Sequence, residues 1–368
     1  MDDKLTSPTD LLNKVEQLVR PEIKALSAYH VPPAGNMLKL DAMENPYNWP
    51  GRLQAEWFDA LKNVSVNRYP DPAAQGVKDK LRQVMGVDAR FDIMLGNGSD
   101  EIIQIIAMAL AGTGRVVMAP EPSFVMYAMI AKFVGMEYVG VPLREDFTLD
   151  LPAFLTAIEA HNPSLIFLAQ PNNPTGNLFE ADDVRKIIES TSGLVVLDEA
   201  YIAFTDSDLL PTLEEYSNVV VMRTVSKVGL AGLRLGMLVG APAWLNEFDK
   251  IRLPYNINVL TQASAEFALT HYDDLLEQTK LIRSERNRVC SVLEQLEGFT
   301  VFPSEANFLL VRVTMVNLGA REIFEKLKAE GILIKCLDGG HPLLSACLRL
   351  TIGTPAENDR LLSALKAC

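Results

Sequence analysis

The sequence predicts an α/β fold: a large domain with a mostly parallel sheet between helices, joined to a smaller α+β domain. Three observations lead there. Short apolar runs recur through the middle of the chain: VVMAP (116–120), YVGVPL (138–143), LIFLAQ (165–170), LVVLDEA (194–200), VVVMRT (219–224) and LGMLVG (235–240). Helical stretches such as Glu101 to Ala111 and Ala181 to Ser190 lie between several of them. Near-continuous apolar strands alternating with helices form parallel sheets covered on both faces. Finally, the chain has 368 residues, more than one typical domain, which predicts a large unit with a smaller companion.

The elements follow in order. An amphipathic helix is expected over roughly residues 8–20, and Pro21, Pro32, Pro33 and Pro46 then mark an extended arm to about residue 50. The strand–helix alternation fills the middle of the chain. A long helical stretch, about 261–297, leads to a tail of FTVFPSEANFLLVRV, AREIFEKLKAEG, ILIKCL and CLRLTIG. The expected division is residues 1–45 as an N-terminal arm and part of the small domain, 46–270 as the large domain, and 271–368 as the small C-terminal one.

Composition narrows the function classes. Hydrophobic residues make up 48% and charged residues 22%, an ordinary globular balance that excludes wholesale disorder. Lys+Arg at 34 against Asp+Glu at 47 gives a formal net charge of −13. Such a surface repels phosphate backbones and acidic lipid headgroups, so nucleic acid and membrane are poor partners. Cys290, Cys336, Cys347 and Cys368 form no C-x-x-C pair, and the four histidines are far apart in sequence. Neither a disulfide framework nor a metal site is expected. The polar N-terminus lacks the apolar core of a signal peptide, so the protein reads as soluble, reduced and cytoplasmic.

In an open parallel sheet, ligands bind beyond the carboxyl ends of the strands, and the chemistry-bearing residues sit at those ends. The block T-V-S-K-V-G-L-A-G-L-R-L-G (224–236) places Lys227 after a buried strand, beside Thr224 and Ser226, with Arg234 seven residues on. A desolvated lysine serves as a Schiff-base amine, and hydroxyls with a guanidinium bind phosphate. Read alone, the block is equally a loop lysine with a salt-bridged arginine. Asp198 ends an apolar strand in VVLDEAY, where a carboxylate needs a cationic partner such as a protonated ring nitrogen. Tyr201, three residues on, could reach a phenolate oxygen of the same ring. On its own, that aspartate could equally cap the following turn. Q-P-N-N-P-T-G (170–176) makes Asn173 a rigid donor or is a plain turn. L-G-N-G-S-D-E (95–101) is either an anion-binding helix N-terminus or ordinary capping by Ser99 or Asp100. Together, a phosphate cradle, an amine, a buried carboxylate and a phenol match the needs of pyridoxal 5'-phosphate.

With those motifs in view, the sequence resembles the fold-type I, aspartate-aminotransferase-like pyridoxal-phosphate enzymes, and within them the histidinol-phosphate aminotransferase family. The likeness runs from VRPEIKALSAYHVP (19–32) through LDAMENPYNWP (40–50), NRYPDP (67–72) and the SK-x-GLAGLR-x-G block to CLRLTIGTPAEN (347–358). It implies that Lys227 carries the cofactor and moves the substrate Cα proton, that Asp198 keeps the ring nitrogen protonated, and that Tyr201 and Asn173 hydrogen-bond the ring oxygen. By the same resemblance Thr224, Ser226, Arg234 and the amides of Gly98, Ser99 and Asp100 would bind the cofactor phosphate. Phe124 would stack on the ring where the family usually has tyrosine. Tyr69 would reach the neighbouring subunit's cofactor phosphate, implying a homodimer with shared active sites. Tyr29, Asn45 and Arg349 would bind substrate, with Lys335 where the family commonly has a second arginine.

The implied reaction interconverts L-histidinol phosphate plus 2-oxoglutarate with imidazole-acetol phosphate plus L-glutamate, a step of histidine biosynthesis. Two alternatives share the scaffold: an aromatic amino-acid aminotransferase and a threonine-phosphate decarboxylase. A non-catalytic protein that kept the fold is disfavoured by the joint presence of Lys227, Asp198, Tyr201 and Arg234.

Overall fold

The computed structural model describes residues 8–28 and 33–368. The predicted substrate residue Tyr29 lies outside the described residues. The strands of the main sheet are β1 (Asp92–Asn97), β2 (Val116–Glu121), β3 (Glu137–Pro142), β4 (Leu165–Ala169), β5 (Leu194–Asp198), β6 (Val219–Thr224) and β7 (Leu235–Gly240). Their spatial order is β1-β7-β6-β5-β4-β2-β3. From β3 across to β6 every pairing is parallel, and only β7 runs against its neighbours β6 and β1. The mostly parallel sheet is therefore as expected.

Successive residues of each strand feed opposite cores, as the two-residue period of a strand requires. Val195 and Leu197 pack with Phe154, Ile158, Val184 and Ile187 on one face. Leu194 and Val196 pack with Ile102, Ile106, Tyr127 and Phe248 on the other. Both faces are buried under helices, which is why these strands read as unbroken apolar runs rather than alternating ones.

Two elements differ from expectation. Asp92–Asn97 is a strand, paired along its whole length with β7, and the helix after it begins at Ser99. Its Asp, Gly and Asn residues hide a strand that tertiary pairing imposes. The expected long helix is two, Val259–Thr270 and Tyr272–Leu293. The backbone breaks at His271 (φ −109, ψ 32).

A second sheet, β8 (Phe299–Val301), β9 (Phe308–Val313), β10 (Lys335–Cys336) and β11 (Cys347–Thr351), is antiparallel in the order β10-β11-β9-β8. Ile323 and Leu327 of helix Ala320–Ala329 and Leu361 and Leu365 of helix Pro355–Lys366 fill its core. The arm joins this unit: Leu38–Lys39 pairs in parallel with Ile332–Leu333. Helix Pro8–Leu18 buries nothing, and Leu11, Leu12, Val15 and Leu18 are exposed. Among the described residues no helix is long and apolar enough to cross a membrane.

Candidate active site

The carboxyl ends of β2, β4, β5 and β6 converge on one pocket. Asp198 is the last residue of β5 and is buried. Its Oδ2 accepts the Tyr127 hydroxyl at 2.6 Å and its Oδ1 accepts the Ala200 amide at 3.0 Å. Burial still dominates and pushes the carboxyl up to about 6. The carboxylate thus sits where only a cationic partner would compensate its desolvation.

Lys227 stands in the turn after β6. Burial, with the positive charges of Arg349 and Arg234 adding to it, lowers its ammonium to about 8. Its Nζ donates to the Ala42 carbonyl at 3.3 Å and lies 5.7 Å from the centre of the Tyr201 ring. Tyr201 is buried, and desolvation raises its phenol well above the ordinary value, so it faces the pocket as a protonated donor. Gly229 turns the chain at φ +125, and a Cβ there would stand 3.0 Å from Asn45 Nδ2.

A cradle of anion donors closes the opposite end. Helix Ser99–Leu110 points its N-terminus into the pocket, with Ser99 and Asp100 on the wall. Gly98 has φ +84, and a Cβ there would lie 2.5 Å from Arg234 Nη2. A Cβ on Gly236 would lie 2.8 Å from Ser99 N. Bare backbone at both positions is what lets the guanidinium and the helix amides approach one space. Thr224 Oγ1 donates to the Leu235 carbonyl at 3.0 Å and accepts the Ser226 amide at 3.1 Å. Arg234 also meets Asp100 Oδ2 at 3.1 Å. Cradle, amine, buried carboxylate and phenol therefore fit pyridoxal phosphate: they present a donor set for a dianion at one end and a seat for a cationic ring nitrogen at the other.

Past Phe124, Met43 and Asn173 the pocket continues into a wider cleft of about 1350 Å³. Lys335 and Arg349 are direct partners across β10 and β11, so both project from one face of the small sheet into this cleft. Arg349 donates to Asn173 Oδ1 at 2.6 Å and to the Asp41 carbonyl at 3.0 Å, with its guanidinium 5.4 Å from the Phe308 ring centre. Glu121, Tyr138 and His341 also line the cleft.

The structure thus brings Ser99, Asp100, Phe124, Asn173, Asp198, Tyr201, Thr224, Ser226, Lys227 and Arg234 to one pocket and Lys335 and Arg349 to its extension. Two further expected site residues do not line this chain's own pocket. Asn45 donates to the Val228 carbonyl and to Gln278 Oε1, both at 2.9 Å, and accepts the Tyr47 amide, so within this chain it braces the Lys227 turn. Tyr69 is 81% exposed and stacked on Tyr255, outside the chain's own pocket.

Sequence reasoning missed three features. Tyr127 lies three residues beyond Phe124, and that spacing was the available signal. The strap 41–43 lends its carbonyls to Arg349 and Lys227. Arg223 and Glu199 form a buried ion pair at 2.7 Å directly behind Thr224 and Asp198.

Comparison with known proteins follows the same outline. The family model for aminotransferase class I and II matches residues 35–365. "Histidinol-phosphate aminotransferase 2" of Nitrosococcus oceani is 53% identical over 355 residues, covering 96% of this chain and 98% of that relative. "Histidinol-phosphate aminotransferase" of Chromobacterium violaceum is 52% identical over 352 residues, covering 96% and 98%. Among solved structures, histidinol-phosphate aminotransferase from Sinorhizobium meliloti in complex with pyridoxal-5'-phosphate superposes with a TM-score of 0.84 at 28% identity, covering 95% of this chain and 97% of that one.

Proposed function

The chain belongs to the aminotransferases of class I and II, and from that premise we propose that it exchanges an amino group between L-histidinol phosphate and 2-oxoglutarate. The products are imidazole-acetol phosphate and L-glutamate. The observation that carries the reading is the lysine–carboxylate pair, Lys227 and Asp198, in a pocket that opens onto the cationic pair Arg349 and Lys335. Each substrate carries an anion close to the carbon that loses or gains the amino group, a phosphate in L-histidinol phosphate and a carboxylate in 2-oxoglutarate.

When bound, pyridoxal phosphate supplies a carbonyl to take up the amino group and a ring to accept the electron pair released at Cα. The chain's residues do the rest. Gly98, Ser99 and Asp100 amides, Thr224, Ser226 and Arg234 hold the phosphate through charge-assisted hydrogen bonds. Asp198 would hold a proton on the ring nitrogen by offering a buried anion. Tyr201 and Asn173 would donate to the ring oxygen, and Phe124 would pack against the ring. Lys227 Nζ, its basicity brought near neutrality by burial, would take the proton from substrate Cα and return it to the carbon on the far side of the amino nitrogen. Arg349 forks around the substrate anion and Lys335 adds a second, undirected charge.

The reading includes a cytoplasmic homodimer with shared sites. Support comes from Tyr69, whose exposed ring has no role in its own pocket, and from the apolar residues exposed along helix Pro8–Leu18.

A half-reaction tests the substrate assignment. Purified yellow protein mixed with L-histidinol phosphate alone should lose its yellow absorbance within one turnover. No change there, with bleaching by phenylalanine instead, would assign the aromatic activity; carbon dioxide release from threonine phosphate would assign decarboxylation.

A further inference from the structure

The cleft beyond Phe124 is lined by cations on one wall, beside Asp338 whose carboxylate is taken up by the Ala346 amide at 2.8 Å, and by a carboxylate on the other. Arg349 and Lys335 come from the small sheet, whereas Glu121 ends β2 of the large one. The Glu121 carboxylate has a purpose-shaped seat. A Cβ on Gly140 of the neighbouring strand would stand only 2.4 Å from Glu121 Oε2, so glycine there is what admits the carboxylate. The Tyr138 phenol lies beside it, and burial together with that negative charge raises the phenol well above its ordinary value, holding it as a donor. A carboxylate accepts at up to about four sites, so Glu121 keeps acceptor capacity toward the cleft.

An imidazole already faces it. His341 Nδ1 accepts the Leu343 amide at 3.2 Å, which places that ring's proton on Nε2, and Nε2 stands 3.9 Å from Glu121 Oε2. That distance is too long for a hydrogen bond, so the oxygen is not saturated by the chain's own ring.

We infer that Glu121 is the specificity residue for the imidazole of the amino donor, its carboxylate accepting the ring N–H while Tyr138 fixes the carboxylate and Arg349 with Lys335 hold the phosphate at the other wall. The inference rests on the histidinol-phosphate reading and deepens it. A dipolar substrate, anionic at one end and a proton-donating ring at the other, matches a cleft with complementary walls. Glutamate has no ring N–H and makes no use of Glu121, so one residue separates the two halves of the reaction.

The experiment measures the two half-reactions separately, on the wild-type holoenzyme and on Glu121→Gln and Glu121→Ala. Glutamine fits the same seat and still accepts from Tyr138 or the substrate, so it tests the charge; alanine removes the acceptor. For L-histidinol phosphate, kcat/KM should fall roughly tenfold in Glu121→Gln and on the order of a hundredfold in Glu121→Ala. The glutamate half-reaction should keep its rate in both. Equal losses in the two half-reactions, or no loss with L-histidinol phosphate, would overturn the inference. A wild-type enzyme that reacts with glutamate but never with L-histidinol phosphate would overturn the substrate reading itself, and is distinguished because it needs no variant.

Discussion

The Tyr127 hydroxyl donates to Asp198 Oδ2 at 2.6 Å, and both groups are buried. The bond favours the ionised carboxylate against the desolvation that opposes it. Removing only that oxygen, in Tyr127→Phe, leaves the ring stacked on Phe167 at 4.4 Å and takes one donor from the anion. A hydrogen bond to a charged group contributes about 1.5–3 kcal/mol. Pyridoxal phosphate should therefore dissociate roughly ten to a hundred times more readily from the variant, measured by equilibrium dialysis. An unchanged dissociation constant would mean that Tyr127 serves packing alone.

Asp198 also makes the stability of the cofactor-free protein depend on pH. Its carboxyl rises from 3.8 to about 6 on folding, so the native state binds the proton more tightly than the unfolded chain. The cost of ionising it is absent below pH 3.8, grows through the window up to about 6, and is complete above. It amounts to on the order of 3 kcal/mol for a shift of about two units. Cofactor-free Asp198→Asn, which has no charge to bury, should exceed the wild type in urea stability at pH 8 and converge with it near pH 4. A constant difference across that range would assign the effect to something other than titration.

Why Lys227 and Asp198 were legible while Tyr127 was not follows from where the information lies. Lys227 and Asp198 each follow a run of apolar strand residues, and a charge at such a point stands out in a single stretch of chain. Tyr127 becomes a site residue only through a bond that spans 71 positions. The strap at 41–43 likewise acts through backbone carbonyls, which no side-chain pattern announces. For the fold, the strands β2 and β4 to β7 declared themselves because burial on both faces leaves them almost wholly apolar, and the part-exposed edge strand β3 through its apolar run YVGVPL. Edge strand β1, with Asp92, Gly96 and Asn97, is strand by virtue of β7 beside it. Asn45 shows the same limit from the other side: its place in a recognisable motif said nothing of Gln278, 233 residues away, to which it donates.

Arg349 and Lys335 are unequal partners across their strands. Arg349 is pinned by Asn173 and the Asp41 carbonyl, which aims its fork, whereas Lys335 is a half-buried point charge. Arg349→Ala should weaken both substrates about a hundredfold in KM, while Lys335→Ala should cost each roughly tenfold or less. Lys335→Arg should tighten phosphate-bearing substrate most, because a second planar fork matches a dianion better than a carboxylate. Steady-state kinetics with each substrate varied in turn would check the ranking, and a larger loss at Lys335 would place the anion on β10 instead.

Behind the pocket, Glu199 and Arg223 form a pair in which each side chain is almost wholly buried, 1% and 3% exposed. Arg223 Nη2 also reaches Asp208 at 2.6 Å, and Glu199 Oε1 accepts the Leu209 amide at 2.9 Å. These residues follow Asp198 and precede Thr224, so they tie the ends of β5 and β6 that carry the ring and phosphate contacts. Breaking a buried pair by removing one partner costs about 3–5 kcal/mol, because the other charge is stranded. Glu199→Gln leaves Arg223 its bond to Asp208 and should lose less than that in denaturant unfolding, whereas Arg223→Met strands the buried Glu199 and should lose stability on that full scale. Glu199→Gln with Arg223→Met together should recover part of it, since the double variant strands no charge. Additive losses in the double variant would show that the two side chains act independently and that the strand ends are held by backbone pairing alone.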